Sequence, residues 1–391
     1  MKRTPVAHVI FPRANPLRPV PEFAWGAVEA IAQTRDFDVT VYMPVPARSF
    51  RALSSWARQA RGAAGWPEGL DEALRKLEPR PVLVPFLPVP RRSTESAAAA
   101  LSAALVKRPR ASRPKVIQGS FLDEGGYTAS LVGRVLDCPA IVVAHGTDVR
   151  AAKGELGEGG KRRRALEAVH RATQVVAVSH RLAQDLALVG ARAEVLPFTA
   201  KASRFQLQAP PKGTPELLFV GRLSRAKGVD LLLSAFALLP RRDVTLRLVG
   251  QGLPDFDVPQ AIAQLGLEGR VTITGELDQS GLPALYGRAS VIALPSLAEG
   301  LPSVLVEALL VGRPVVATDV GGVRELVDGR VGALVTEPGP GPLAQALAET
   351  LARAEAGAFE PAALRAKALP FAWESVGPKL AELTRRLIGP S

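Results

Sequence analysis

Cysteine is almost absent from this sequence, which has a single one, Cys138, among 391 residues. One cysteine cannot form a disulfide within the chain, so a reducing compartment is expected. No run of about eighteen apolar residues free of charges is present, which argues against a membrane-spanning helix. Residues 1–16, MKRTPVAHVIFPRANP, hold only a brief apolar stretch, which predicts a first strand and not a signal peptide. We therefore expect a cytoplasmic protein.

Two common kinds of functional motif are also missing. The four histidines and one cysteine show no cluster with metal-ligand spacing. The G-x-G-x-x-G fingerprint that follows the first strand of a dinucleotide-binding domain is replaced by PRANPL at 12–17. These absences disfavour a dehydrogenase, and we expect neither a metal nor a cofactor.

Acidic residues are outnumbered by basic ones, which gives a formal net charge of +12. An anionic substrate, a phospholipid surface and nucleic acid are all compatible with this excess, and so is a coding bias toward arginine. The basic runs Arg91-Arg92 and Lys161 to Arg164 are typical of solvated faces. We expect no nucleic-acid partner and, through these basic patches, peripheral contact with an anionic membrane at the inner face of the cell.

The length of the chain exceeds what one hydrophobic core usually organises and predicts two domains. Short β-branched runs alternate with helix-length segments throughout, as in parallel α/β sheets. The predicted strands are 6–11, 39–45, 81–87, 115–120, 140–146, 174–179 and 193–198, then 217–221, 244–250, 271–275, 291–296, 314–320 and 332–335. The proline-rich segment 203–216 predicts a linker. We predict two Rossmann-like domains, 1–208 and 209–370, facing across a cleft that holds the ligand at the strands' carboxyl ends.

The stretch PSLAEGLPSVLVEALLVGRPVVATDVGG, residues 295–322, places two glutamates eight positions apart. Pro302 suits the first turn of a helix and Gly312 its end, so Glu299 would precede the helix and Glu307 lie within it. The amides of the first turn can hold a phosphate. Because carboxylates repel a phosphate, both glutamates are expected to accept hydrogen bonds from sugar hydroxyls on either side of it. The alternative to a binding role is that Glu307 is an exposed helix residue and that Glu299 is only a negative charge favoured by the helix dipole.

A second motif, GRLSRAKG at 221–228, follows a predicted strand and precedes a helix. It would bring Arg222 and Lys227 to the same end of the sheet, where fixed cations bind a diphosphate and stabilise it as a leaving group. Each cation alone is as well explained by an exposed surface position. Together with the glutamates they indicate a nucleotide-sugar site.

Nearly the whole chain resembles retaining glycosyltransferases of the GT-B fold, family 4, also called group 1. The segments that carry the resemblance are GRLSRAKG (221–228), LVGQG (248–252), the block 291–327 with its E-x7-E pair, AHGTD (144–148), VVAVSHRLAQDL (175–186) and FAWESV (371–376). The last of these resembles the segment that crosses back to the first domain, so 371–391 is expected to form a returning helix.

By position, the resemblance implies roles for individual residues. The donor-binding residues would be Arg222, Lys227, Gly300, Leu301, Pro302, Ser303 and Glu307. The candidate catalytic residues would be Glu299, His145, Arg222 and Lys227, with His145 and Asp148 reaching the sugar or the acceptor from the first domain. A lone histidine is more often structural, but the end of a strand favours a functional one. The sequence departs from the family at PRANPLRPVP (12–21) and at 197–201, both in the predicted acceptor domain.

The resemblance implies transfer of a sugar from a nucleoside diphosphate sugar to an acceptor hydroxyl, with retention of anomeric configuration and without a metal. The acceptor would be a cell-envelope glycan, a glycolipid or a small molecule. A hydrolase is disfavoured because glycosidase carboxylates flank one bond instead of lying beside a phosphate site. A nucleotide-sugar 2-epimerase of the same fold and a non-catalytic nucleotide-sugar binding protein stay open as alternatives.

Overall fold

The computed structural model describes residues 3–11, 22–34, 36–46, 81–86, 92–278 and 280–389. The chain divides into two compact units, one of Met1–Phe198 with Trp373–Ser391 and the other of Thr199–Ala372. The departure at 12–21 and Arg91 lie outside the described residues.

The first unit is built on one parallel sheet. Its strands are β1 (Thr4–Val9), β2 (Phe37–Pro46), β3 (Val82–Phe86), β4 (Val116–Ser120), β5 (Ala140–Ala144), β6 (Gln174–Ala177) and β7 (Ala193–Val195). They pair in the order β3-β2-β1-β4-β5-β6-β7. The α-helices that precede β7 are α1 (Glu22–Ala32), α2 (Ser93–Val106), α3 (Tyr127–Leu136), α4 (Thr147–Ala152), α5 (Gly160–Arg171) and α6 (His180–Ala187). Strands such as AIVVA are buried at every position, as expected when helices cover both faces of a parallel sheet.

The second unit repeats this design with a smaller sheet. Its strands are β8 (Glu216–Val220), β9 (Thr245–Val249), β10 (Val271–Gly275), β11 (Val291–Leu294), β12 (Val315–Thr318) and β13 (Gly332–Val335). They pair in parallel in the order β10-β9-β8-β11-β12-β13, so the direction of winding reverses between β8 and β11. Its α-helices are α7 (Val229–Ala237), α8 (Val258–Gln264), α9 (Leu282–Arg288), α10 (Ser303–Val311), α11 (Val323–Leu326), α12 (Pro340–Glu355) and α13 (Pro361–Ala368). The prediction of two parallel α/β domains is confirmed, and each predicted strand overlaps an observed one.

The predicted domain boundary after residue 208 falls inside the second unit. Residues 199–208 do not form a free linker, because Ala202 and Phe205 are buried in the core of that unit. Arg365 donates to the carbonyl oxygens of both residues. The fully buried Arg313 donates to the carbonyl of Gln208 at 3.3 Å. Two arginines thus satisfy backbone carbonyls that burial would otherwise leave without donors.

The last helix, α14 (Trp373–Ile388), belongs to the first unit. Its Trp373 ring stacks on Phe198 with 4.5 Å between ring centroids. Its Thr384 hydroxyl accepts from the side-chain amide of Gln118 on β4 at 3.0 Å. Among the described helices, none combines the length and the hydropathy that crossing a membrane requires.

Candidate functional site

The motif loop GRLSRAKG leaves the carboxyl end of β8 and lies against the end of β11. It passes through one 3₁₀ turn, Arg225–Lys227, and reaches Gly228, whose φ of 69° is in the left-handed region. A Cβ atom on Gly228 would lie 1.9 Å from the carbonyl oxygen of Pro295, so only glycine fits. The amide of Leu297 donates to the carbonyl of Ala226 at 3.0 Å. The two loops that the motifs identify are therefore joined backbone to backbone, beside the point where the strand order reverses.

This junction brings Lys227 and Glu299 together. The Lys227 Nζ atom donates to Glu299 Oε1 at 2.6 Å, and 23% and 10% of the two side chains remain exposed. The loop that holds Glu299 is itself supported by Gly321, at φ 55°, where a Cβ atom would lie 1.8 Å from the Glu299 carbonyl oxygen. Gly322 donates its amide to the Gly300 carbonyl at 2.8 Å. Gly321 thus allows the close backbone approach that no residue with a Cβ atom would permit.

The helix after Glu299 begins one residue later than predicted. Pro302 is the N-cap, with extended backbone at φ −76° and ψ 113°, and α10 starts at Ser303. Proline has no N–H, so Pro302 cannot donate to an anion. The first-turn amides of Ser303 and Val304 have no acceptor within the helix. Gly312 ends the helix in the left-handed conformation at φ 85°, as predicted.

Glu307 lies on α10 and is only 4% exposed, so the alternative of an exposed surface glutamate is wrong. The hydroxyl of Tyr286, on α9, donates to Glu307 Oε2 at 2.6 Å. Burial lowers the pKa of Arg204, and the charge of Glu307 acts in the opposite direction. Sequence reasoning missed Tyr286 as a partner of Glu307.

Arg222 follows β8 and is exposed, with no ion pair or hydrogen bond to the described part of the chain. The second unit therefore offers two cations, two carboxylates and a helix N-terminus in connected loops. Cations and amides bind phosphate oxygens, whereas carboxylates accept from hydroxyls. This set of groups suits a ligand that carries both phosphate and sugar.

Asp148, in the first unit, accepts hydrogen bonds from the backbone of two segments. It is 2% exposed, and its carboxylate accepts from the amides of His145 at 3.0 Å, Gly146 at 2.7 Å and Leu122 at 2.9 Å. Burial raises the pKa of Asp148, and these backbone hydrogen bonds act in the opposite direction. A carboxylate surrounded by backbone donors shapes the loop, and contact between Asp148 and a sugar or an acceptor stays a prediction.

His145 lies between aromatic rings in the same unit. Its ring centroid is 4.9 Å from that of Phe121 and 6.2 Å from that of Phe198. Phe121 starts a π-helical turn, Phe121–Gly126, with φ at 64°, which is a costly conformation for a phenylalanine. Such outliers are common near functional sites, and the sequence offered no signal for this one. The role of His145 stays a prediction.

The basic run 161–164 is largely occupied by intramolecular partners. Arg162 pairs with Glu158, Arg163 pairs with Glu95, and Arg164 donates to a backbone carbonyl. These bonds favour a solvated structural face over a membrane patch at this run.

The sequence also holds two Asp-x-Asp triplets, a pattern found in metal sites, at 36–38 and 255–257. In the structure Asp36 pairs with Arg385, and Asp255 accepts from the Arg225 amide at 3.2 Å. Asp257 accepts from the Gln260 amide at the start of α8. Within the described ranges no three His, Cys, Asp or Glu side chains gather as a metal site.

Comparison with known proteins agrees with this arrangement. Residues 214–353 match the family model described as "Glycosyl transferases group 1", and residues 23–197 match "Glycosyltransferase Family 4". The chain is 33% identical over 258 residues to TuaC of Bacillus subtilis, named as a glycosyltransferase of teichuronic acid biosynthesis, covering 62% of this chain and 61% of TuaC. It is 39% identical over 140 residues to a D-inositol 3-phosphate glycosyltransferase of Arthrobacter, covering 34% and 33% of the two chains. The matched region thus spans less than two thirds of each of these relatives.

Solved structures share the fold over nearly the whole chain. Sucrose-phosphate synthase from Thermosynechococcus elongatus superposes with a TM-score of 0.77 at 19% identity, covering 98% of this chain and 99% of that one. Anabaena HepE in complex with UDP-glucose gives 0.73 at 20% identity, covering 98% and 99%. One family model thus matches most of each unit, and the solved structures share the fold of both.

Proposed function

We propose that this protein transfers a sugar from a nucleoside diphosphate sugar to an acceptor hydroxyl, and that its second unit binds the donor. The observation that carries the proposal is the Lys227–Glu299 pair, a cation and a carboxylate 2.6 Å apart beside the N-terminus of α10. A sugar phosphate needs both kinds of group at one place, because its phosphate requires cations and amides while its hydroxyls require acceptors.

The same residues suggest how the reaction proceeds. Arg222, Lys227 and the first-turn amides would stabilise the diphosphate as negative charge develops on it during departure. With these positive groups at hand, we infer that no metal is needed. Glu299 would accept from sugar hydroxyls and offset the positive charge on the sugar ring, and Glu307 would accept from the ribose diol. The family resemblance favours attack on the face that the diphosphate leaves, and hence retention.

The acceptor class is inferred from the relatives. TuaC is named for teichuronic acid biosynthesis, and two other relatives are named as a D-inositol 3-phosphate glycosyltransferase and a 2-deoxystreptamine glucosyltransferase. We infer that the acceptor is a hydroxyl of a cell-envelope glycan, a glycolipid or a small polyol. If it is a cell-envelope glycan, the protein acts in polysaccharide biosynthesis.

The test is a panel of nucleoside diphosphate sugars, headed by UDP-glucose because HepE binds it. Binding of the correct donor raises the apparent melting temperature by mass action. That donor is then incubated with candidate acceptors, and the product is examined by NMR for its anomeric configuration. We expect stabilisation by one donor class, release of nucleoside diphosphate only when an acceptor is present, and a retained anomer.

Other results would favour a different function or a different stereochemical outcome. Turnover of the donor without an acceptor, giving an epimerised sugar, would identify an epimerase. Binding without turnover against any acceptor would favour a binding protein. An inverted product would refute retention while leaving transferase activity in place.

A further inference from the structure

The hydroxyl of Tyr286 lies in an apolar site, where packing alone does not require a hydroxyl. Tyr286 lies on α9 with no exposed surface, and its ring meets the buried Phe205 edge-on at 5.8 Å between centroids. A phenylalanine would fill this apolar site equally well. A hydroxyl buried there lowers stability unless it finds a partner, and its partner is Glu307 Oε2 at 2.6 Å.

Glu307 needs such a donor because it is a carboxylate in an almost wholly buried position. The torsion that turns a glutamate carboxylate about its last bond has only broad minima, so the side chain alone does not set the plane of the two oxygens. A short hydrogen bond to one oxygen sets that plane. The second oxygen is then presented in a defined direction, with lone pairs suited to hydroxyl donors.

Tyr286, the hydrogen-bond donor to Glu307, is itself fixed by packing. Phe205, which packs against the Tyr286 ring, belongs to the segment 199–208, and the Arg365 guanidinium binds its carbonyl oxygen. The segment at the start of the second unit therefore supports the Tyr286 ring.

We propose that Tyr286 is a positioning residue that orients the Glu307 carboxylate toward the ribose diol of the donor, a role that rests on the function proposed above. The phenol does not touch the nucleotide; it acts through Glu307. The Tyr286 hydroxyl should therefore matter for ligands that carry ribose hydroxyls and be indifferent for ligands that lack them.

The experiment compares UDP with 2′,3′-dideoxy-UDP, or the matching pair of another base if the panel selects one, by isothermal titration on the full chain. Wild type should prefer the ribose form by at least about tenfold, as expected for hydrogen bonds to a charged group. Tyr286→Phe should lower that preference by about 3- to 30-fold, by weakening binding of the ribose form alone. Donor KM should rise by a similar factor with kcat nearly unchanged.

Two further variants separate positioning from simple loss of stability. Tyr42→Phe is the matched control, because Tyr42 is a buried tyrosine of the first unit whose hydroxyl accepts from Arg108 at the same 2.6 Å. It should leave the ribose preference unchanged. In a Glu307→Gln background, Tyr286→Phe should cause no further loss, because both changes act through one carboxylate.

The outcomes distinguish this inference from the function on which it rests. If wild type binds no nucleoside diphosphate, the proposed function fails and this role fails with it. If wild type prefers the ribose form and Tyr286→Phe keeps the full preference, or if the two changes add in the double variant, the positioning role is overturned while the transferase stands.

Discussion

The loop after β5 and the paired loops after β8 and β11 use their carboxylates in opposite ways. In the first unit, the Asp148 carboxylate accepts from the backbone amides of Leu122, His145 and Gly146. In the second unit, Glu299 accepts from the Lys227 side chain and Glu307 accepts from the Tyr286 side chain, both on other elements. Backbone donors cannot leave without unfolding the loop, whereas a partly exposed side chain such as Lys227 can rotate away. Glu299 can therefore exchange this partner for a ligand, while the role proposed for the buried Tyr286 is to stay on Glu307 and orient it.

This difference predicts that the first unit's carboxylate governs stability and the second unit's carboxylates govern binding and rate. Substitutions in the two units test this division of roles.

Lys227→Ala should have the largest effect, because it removes the cation that stabilises the diphosphate before and during its departure. We expect a higher donor KM, a lower kcat, and a loss in kcat/KM equivalent to about 2 to 4 kcal/mol. Steady-state kinetics with the identified donor measure this. Arg225→Ala is the matched control, since Arg225 lies in the same loop, is exposed and pairs with Asp230. Equal kcat/KM in folded Lys227→Ala and wild type would reject the role.

Substitution of the two glutamates should affect different kinetic constants. Glu299→Gln keeps the shape but removes the charge that faces the reacting sugar, so kcat should fall by roughly 10- to 1000-fold with a modest change in KM. Glu307→Gln should mainly raise KM, because the ribose does not change during transfer and the contact contributes uniform binding. Both variants acting on KM alone would refute the electrostatic role of Glu299.

Asp148→Asn should destabilise the protein without changing donor affinity. Both carboxylate oxygens accept backbone hydrogen bonds, so the NH₂ group of asparagine would have to face an N–H at one of them. A loss of about 1 to 3 kcal/mol in the free energy of unfolding is expected, measured by urea titration. A stable variant with weakened donor binding would indicate instead that Asp148 contacts the ligand.

The smallest effect concerns His8, which is buried on β1 and whose Nε2 atom has no hydrogen-bond partner in the described part of the chain. Burial lowers its pKa from the ordinary 6.5 to about 3. Between these values the unfolded chain binds a proton that the folded chain does not, so stability falls as pH drops below 6.5. At pH 5 the loss should be about 2 kcal/mol relative to pH 7. His8→Leu should flatten this slope in urea titrations, and an unchanged slope would exclude His8 as its origin.

The sequence predicted elements well and partners poorly, for a physical reason. Apolar runs such as VIAL and the turn residues Pro302 and Gly312 are local signals, and they located β11 and α10 to within a residue or two. The partners in the site are not local. Lys227 and Glu299 are 72 residues apart, Tyr286 and Glu307 are 21 apart, and the Leu122 amide is 26 from Asp148.

Such contacts depend on which strands are neighbours in the sheet. The periodicity of a strand is the same whichever strand it pairs with, so the order β10-β9-β8-β11-β12-β13 cannot be derived from it. The linker prediction was right that helix and strand are absent from 203–215, but it missed the packing of Phe205 for a related reason. Prolines and a glycine at 203–216 indicated a break in regular structure, but Phe205 is buried by packing that no local pattern reveals.

The most direct test of the central claim, that the joined loops of the second unit hold a diphosphate, is isothermal titration of the full chain with UDP and with uridine. Wild type should bind UDP at least about tenfold more tightly than uridine, since charge-assisted contacts to the phosphates supply the difference. Lys227→Ala should lose most of that difference, while Arg225→Ala and Asp148→Asn should keep it. Equal affinity for UDP in wild type and Lys227→Ala, or no binding of any nucleoside diphosphate in the panel, would contradict the claim.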